Sequence, residues 1–213
     1  GVSAMLFEDR AAAGRLLAVA LAGSVRPGAL VLGVPRGGVV VAAEVARAHD
    51  LELDVIVVRK IGAPGNPEYA VGAVDEDGRI IGGTDAFVDR AYLEQAAEAG
   101  RSEIARRLAA YRADRPAPRI AGRDVIVVDD GIATWLTLEA AIESLQRRDA
   151  DHLVVATPVA APDAADRIAR VADEFVALEV PHGFSAVGQF YREFGQTSDG
   201  EVIALLAELR ARS

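Results

Sequence analysis

The sequence predicts an α/β protein built on a parallel, doubly wound sheet of Rossmann-like form, and three observations predict it. Short aliphatic, β-branched runs alternate with amphipathic helical stretches along the whole chain. The runs are continuous rather than alternating with polar residues, as strands buried on both faces are. Three of them end in polar, Gly-containing loops, which is where open parallel sheets place their ligands.

The elements follow in order. Asp9 caps a first helix in which Ala13, Leu16, Leu17, Ala20 and Leu21 share one face. Residues 30–34 form a strand ended by Pro35-Arg36-Gly37-Gly38, and residues 39–48 a helix. Residues 53–58 form the next strand. From 61 to 83 the chain is rich in Gly, Pro, Asn and acids, which predicts a flexible loop holding a hairpin-like pair, 70–74 and 79–81. A long helix spans 89–112 with Leu93, Ala97, Ile104 and Leu108 inward, and 113–123 is a Pro-containing linker. The second half repeats the alternation: a strand at 125–128, a helix with Leu138, Ala141, Ile142 and Leu145 on one stripe, and strands at 153–156 and 175–178 around a helix at 162–171. Residues 181–196 are irregular and hold Phe184, Phe190, Tyr191 and Phe194. A last helix carries Val202, Leu205, Leu206 and Leu209.

Composition narrows the function. The 213 residues, 51% hydrophobic and 26% charged, suit one globular domain, read here as residues 5–213, with 1–4 a tag remnant before Met5. Cysteine is absent, which excludes disulfides, thiolate metal sites and a Cys nucleophile. A net charge of -9 disfavours a nucleic-acid partner, which needs a positive field. No apolar run reaches the roughly 20 residues that cross a bilayer, and the charged stretch after Met5 is no signal peptide, so a cytoplasmic protein is expected. Only one of the 23 basic residues is a lysine, Lys60; either chance or function left it there.

The chemistry concentrates at Val125-Ile126-Val127-Val128-Asp129-Asp130-Gly131-Ile132-Ala133-Thr134, with Thr137 beyond. Two adjacent carboxylates at a strand end repel unless something bridges them, and a pair of ribose hydroxyls or a Mg²⁺-bound ligand would do so. The backbone N–H groups where the next helix starts suit a phosphate. A plain helix cap is the simpler reading, but four aliphatics, Asp-Asp and two threonines together weigh against it.

That run resembles the phosphoribosyl-pyrophosphate (PRPP) motif of type I phosphoribosyltransferases, whose usual form is aliphatics, Asp-Asp, then Thr-Gly-x-Thr. Pro35-Arg36-Gly37-Gly38 resembles that family's pyrophosphate loop, and Arg59-Lys60 its second pyrophosphate contact, ahead of its flexible catalytic loop. Residues 59–68 read Arg-Lys-x-Gly-x-Pro-Gly-Asn-Pro-Glu, and Ala186-Val187-Gly188-Gln189-Phe190-Tyr191 precedes the last helix; both are similar to a poorly characterised bacterial subgroup. The resemblance covers residues 7–209. It implies a phosphoribosyltransferase-type core with a flexible loop at 61–83 and a small C-terminal hood at 181–196. The activity it implies is Mg²⁺-dependent transfer of a 5-phosphoribosyl group from PRPP to an acceptor, a nucleobase, with release of pyrophosphate, by a protein that forms a homodimer.

By the same resemblance, Arg36, Gly37, Gly38, Arg59 and Lys60 bind pyrophosphate. Asp129 and Asp130 hold the ribose, and the loop Gly131, Ile132, Ala133, Thr134, Trp135, Leu136 and Thr137 holds the ribose 5′-phosphate. Asp129, Asp130, Lys60 and Glu68 are the catalytic candidates, Glu68 as acid or base against the plainer reading of a solvated loop acid. Mg²⁺ enters through PRPP, with Asp129 or Asp130 open as a ligand. Phe184, Phe190 and Tyr191 either stack a base or seal the sheet edge.

One position departs from the pattern. Trp135 stands where the motif has Gly, and Leu136 where a small residue is usual. An indole turned inward would fill the phosphate cradle, and the chain would then be a non-catalytic PRPP- or nucleotide-binding regulator. An indole turned outward leaves the N–H groups open. A phosphate-ester hydrolase using the same cradle is a third reading. Gly183-Phe184-Ser185-Ala186-Val187 fails the hydrolase elbow at Val187. His49, His152 and His182 lack metal-ligand spacing, and neither a Walker nor a dinucleotide glycine motif is present.

Overall fold

The computed structural model describes residues 5–82 and 88–210. In chain order the elements are α1 (Arg10–Ala20), β1 (Leu30–Gly33), α2 (Gly37–His49), β2 (Glu52–Val55), β3 (Arg59–Ala63), β4 (Asn66–Val74), β5 (Ile80–Gly82) and α3 (Arg90–Arg112), then β6 (Asp124–Val128), α4 (Leu136–Arg147), β7 (His152–Val159), α5 (Pro162–Val171), β8 (Glu174–Glu179) and α6 (Asp199–Glu208). The tag-remnant reading of residues 1–4 and the last residue of the 61–83 loop fall outside the described residues.

β1, β2, β6, β7 and β8 form one parallel sheet in the order β2-β1-β6-β7-β8. Each strand buries alternate residues on opposite faces. Val31, Leu53, Ile126 and Val154 pack beneath α1, α2 and α6, with Leu17, Val41 and Leu206 from those helices. Leu30, Leu32, Val125, Val127 and Val155 pack beneath α4 and α5 through Leu138, Ile142, Leu145 and Ile168. Helices on both faces explain why the strands read as unbroken aliphatic runs. The chain leaves β1 toward β2 on one side, while β6 pairs on the other, so a crevice opens between the carboxyl ends of β1 and β6. Gly33 pairs in register with Val128, and the Val34 N–H donates to the Val128 carbonyl at 3.0 Å. The two loops therefore leave the sheet side by side.

The helix starts follow local chemistry. The Asp9 carboxylate accepts from the Ala12 N–H at 2.8 Å, Asp89 from Ala91 at 3.1 Å, and Ser198 caps α6 from Glu201 at 3.1 Å.

The stretch expected as a flexible loop at 61–83 is for the most part a second sheet, in which the expected hairpin-like pair of 70–74 and 79–81 is the β4–β5 ladder. β3, β4 and β5 form an antiparallel meander, β3 and β4 joined at Pro64-Gly65 with the ladder shifting register around Gly62. Glycine, proline and asparagine here make a turn and a bulge rather than an irregular tract. The meander is wedged between two helices. Val74 faces Gly100 of α3, while Ala73 and Ile81 pack on Ala140 of α4. Behind it lies a buried ionic cluster: the Glu76 carboxylate accepts the Val57 N–H at 2.9 Å and sits 3.5 Å from Arg112, which also donates to Asp54 at 3.0 Å. Burial raises the Glu76 pKa above its ordinary value, against the opposing pull of Arg112.

Two boundaries move. β2 stops at Val55, and β7 runs on through Pro158 to Val159. Residues 181–196 are irregular except for one short 3₁₀ turn, Val187–Phe190. They are tied to the start of the chain, since the Phe7 N–H donates to the Phe190 carbonyl and the Arg192 N–H to the Phe7 carbonyl, both at 2.8 Å. Among the described residues no helix is long and apolar enough to cross a membrane.

Candidate functional site

Asp129 and Asp130 are the first residues beyond β6, and Gly37 and Gly38, which open α2 rather than lying in a loop before it, close directly on them. A Cβ on Gly38 would lie 2.9 Å from the Asp129 carboxylate and 3.0 Å from the Val128 carbonyl, and one on Gly37 would collide with the Asp130 carboxylate. Both glycines are needed for this approach, so the sequence-level reason for them, contact with a phosphate, is only part of the account. Asp129 is half-buried and accepts the Asp130 N–H at 2.8 Å. Burial, reinforced by the neighbouring Asp130 charge, pushes its carboxyl pKa upward.

Asp130 has a partner that the sequence does not reveal. Arg10, from the first turn of α1, donates through Nε to the Asp130 carboxylate at 2.8 Å and through Nη1 to the Gly195 carbonyl at 2.6 Å. Its guanidinium lies 4.0 Å from the centre of the Phe194 ring. Three distant segments thus meet at one carboxylate. No local pattern marks Arg10, since a surface arginine on the first turn of a helix looks the same.

Beyond the carboxylates the backbone is open to a ligand. Among the described residues none of the N–H groups from Ala133 to Leu138 donates a hydrogen bond, and Leu136 begins α4. Free amides and the positive end of a helix converge here. Ala133 and Thr134 are exposed and Thr137 is half-buried. The Trp135 indole does not enter this space. It packs with the α4–α5 core and lies under the Arg167 guanidinium of α5 at 3.8 Å. Gly131 is hemmed in by Val187, which brings the 181–196 segment onto the loop.

Arg36 and Arg59 line one cavity of about 330 Å³ with Arg106 and Arg107 of α3, Tyr111 and Asp199. Sequence reading missed the two α3 arginines, whose adjacency on a charged helix face was the available signal. Lys60 does not join them. It pairs with Ala73, on the α4 side of the meander, whereas Arg59 pairs with Val74 on the α3 side. Both are exposed. Glu68 is exposed in the outer half of β4.

The aromatic group resolves differently from the base-stacking expectation. Phe190 and Tyr191 are each 5% exposed and spend their faces on neighbours: Phe184 stacks on Phe190 at 5.4 Å, and Tyr191 stacks on Phe194 at 4.9 Å. Ring faces buried in a cluster with Phe7 and Val159 are closed to a planar ligand. The Tyr191 hydroxyl instead donates to the Asp130 carbonyl at 2.6 Å, and burial raises its pKa. Its role is to hold the loop.

Among the described residues no three carboxylates or histidines gather into a cation cage. The Asp129–Asp130 pair can supply one or two oxygens to a hard cation that arrives with a phosphate ligand, a common arrangement for Mg²⁺.

The switch point of the parallel sheet thus brings an acidic pair, two close-packed glycines and a bare helix start to one crevice. The chain belongs to the phosphoribosyl transferase domain family, whose model matches residues 15–190. It is 48% identical to TT1426 of Thermus thermophilus, over 97% of this chain and 100% of that one, with a TM-score of 0.88. It is 44% identical over 205 residues to a Mycobacterium tuberculosis H37Rv protein, Rv0571c, that bears a provisional phosphoribosyl transferase name; the match takes in 94% of this chain and 46% of that protein. The chain thus spans about half the length of the curated relatives it matches.

Proposed function

We propose that residues 5–213 form one phosphoribosyltransferase unit that moves a 5-phosphoribosyl group from PRPP to a small nitrogenous acceptor, a nucleobase, and releases pyrophosphate. One observation carries the reading. A half-buried carboxylate pair faces the glycine start of α2 and is followed at once by six undonated N–H groups at the start of α4. Each part of PRPP has a matching surface there. The Asp129 and Asp130 carboxylates accept from the ribose hydroxyls. The N–H groups of 133–138 and the Thr134 and Thr137 hydroxyls donate to the 5′-phosphate. Arg36, Arg59 and the Gly37–Gly38 backbone receive the pyrophosphate, and the cation-rich cavity beside Arg36 disperses the charge that develops as it leaves.

A Mg²⁺ ion carried by the pyrophosphate would neutralise part of that charge, with Asp129 or Asp130 as its protein oxygens. The β3–β4 arm brings Lys60 and Glu68 toward the site if it swings inward, which would also exclude water from the reacting ribose. Glu68 is the acid or base of this reading. Homodimer formation and action on small molecules in the cytoplasm, with no nucleic-acid partner, belong to the same proposal. The indole's position under Arg167 leaves the phosphate loop open, which removes the one sequence feature that favoured a non-catalytic regulator.

The test is incubation with PRPP, Mg²⁺ and a panel of nucleobases while pyrophosphate release is followed. Base-dependent release is expected, and Asp130→Asn should lower it by at least about a hundredfold. Base-independent release would favour the hydrolase reading. An unchanged rate in Asp130→Asn would overturn the site.

A further inference from the structure

A second concentration of arginines lies away from the strand-end crevice, along the free edge of the parallel sheet. β2 is the edge strand, and the outer side of its first residues borders a cavity of about 480 Å³. The cavity is closed by the linker that follows α3, by Arg123 just ahead of β6, and by the end of α6. Glu52 opens β2 and Arg123 precedes β6, so the cavity lies toward the amino ends of these strands, whereas Asp129 and Asp130 follow the carboxyl end of β6.

Five guanidinium groups line it, from Arg112, Arg115, Arg119, Arg123 and Arg210, against two carboxylates, Glu52 and Asp54. Those two acids are already engaged, Glu52 with Arg123 at 3.0 Å and Asp54 with Arg112 at 3.0 Å. Arg115 and Arg119 have no carboxylate within ion-pairing distance among the described residues. In a chain of net charge -9, a local excess of three positive charges around one concavity runs against the overall field.

The arrangement is held in place rather than left to flexible side chains. Arg115 donates through Nη1 to the Leu206 carbonyl at 3.0 Å and through Nε to the Arg112 carbonyl at 3.4 Å, which pins its fork between α3 and α6. Pro116 and Pro118 restrict the backbone that presents Arg115 and Arg119. The rest of the lining is apolar, from Leu53, Ala117 and Leu206 with the two prolines. A fork that suits phosphate bidentately, more than one unmatched cation and an apolar wall call for a ligand with a small organic body and at least two negative charges. The volume falls within the roughly 300–1,000 Å³ of small-molecule sites.

We propose that this edge cavity is a second ligand site, separate from the strand-end crevice, and that it takes a nucleoside diphosphate or an anion of that size and charge. The phosphates sit on Arg115 and Arg119, and the nucleoside lies against the Pro116–Pro118 wall and Leu53. The proposal does not depend on what the strand-end site binds.

Calorimetric titration of the full chain with adenosine diphosphate, without Mg²⁺ and at low salt, tests it. An Arg36→Ala background weakens the strand-end loop and leaves the edge cavity intact, so binding in that background is expected. Adding Arg119→Glu, an exposed position, should weaken it by at least about tenfold, and Arg115→Ala should do the same where the melting temperature shows the variant folded. Adenosine, which has no charge, should not bind measurably. Equal affinity with and without Arg119→Glu, loss of binding in Arg36→Ala alone, or no binding at about 1 mM nucleotide would each overturn the proposal.

Discussion

Arg10 reaches across 120 residues of sequence to donate to Asp130 at 2.8 Å, and both side chains are largely buried, at 14% and 16% exposed. Removing one member of such a pair strands the other. Arg10→Ala should therefore destabilise the protein by about 2 kcal/mol, a fall of roughly 5 °C in melting temperature for a chain of this size. In a double-mutant cycle with Asp130→Asn, thermal or urea melts should give a coupling of about 1 kcal/mol or more. Strictly additive effects would show that the contact contributes nothing.

Trp135 interrupts the phosphate motif in sequence without obstructing the loop in space. Its ring faces Arg167 and the α4–α5 core, so Trp135→Gly should cost about 1–3 kcal/mol in lost packing and cation–π contact. Affinity for PRPP, read by calorimetry, should stay within about twofold. A large gain in affinity would mean that the indole visits the cradle.

Gly38 has no room for a methyl group between the Asp129 carboxylate and the Val128 carbonyl, at 2.9 and 3.0 Å. Gly38→Ala must push the α2 start away from the carboxylates, at a cost of about 1–3 kcal/mol and a fall in PRPP affinity of at least about tenfold. Gly183→Ala, with nothing within 4 Å of its added carbon, is the control and should change stability by less than about 0.5 kcal/mol.

Glu76 sets a pH dependence whose direction follows from its burial. Its folded-state pKa is raised above the ordinary 4.5, so folding favours the protonated form. The stability from this group is full below the unfolded value and is lost as pH rises through the higher folded value. Glu76→Gln keeps an acceptor for the Val57 N–H and should remove that loss. Melts between about pH 4 and pH 7 should show a smaller fall for Glu76→Gln than for the parent protein. A steeper fall in the variant would show that Arg112 and Arg148, not burial, govern the group.

The parts of this molecule legible in the sequence are those set by local rules. Residues 30–34 and 125–128 announce themselves as buried parallel strands through aliphatic runs, within a residue of β1 and β6, and α5 begins and ends where Pro162 and the apolar stripe place it. The carboxylate pair and the glycine loop stand out because their chemistry is compressed into a few adjacent residues. What escaped was set by contacts distant in sequence. Residues 61–69 read as a loop because their turn glycine and bulge look the same as irregular chain until α3 and α4 close on either face of the hairpin. Arg10 acquires a role only when α1 is laid beside residues 130 and 195. Phe190 and Tyr191 leave base stacking and sealing of the sheet edge equally open, because nothing in residues 181–196 says that Phe7 will cover them.

The pairing of the first described residues with 190–193 orders events during synthesis. A ribosome releases Arg10 before Asp130, yet the Gly195 carbonyl that anchors the Arg10 guanidinium arrives 185 residues after Arg10, and the Tyr191 hydroxyl that holds the Asp130 carbonyl follows it by 61. A nascent chain can therefore pair most of its central strands while the crevice still lacks its cover. Competence to bind waits until residues 190–195 fold back onto residues 7–10.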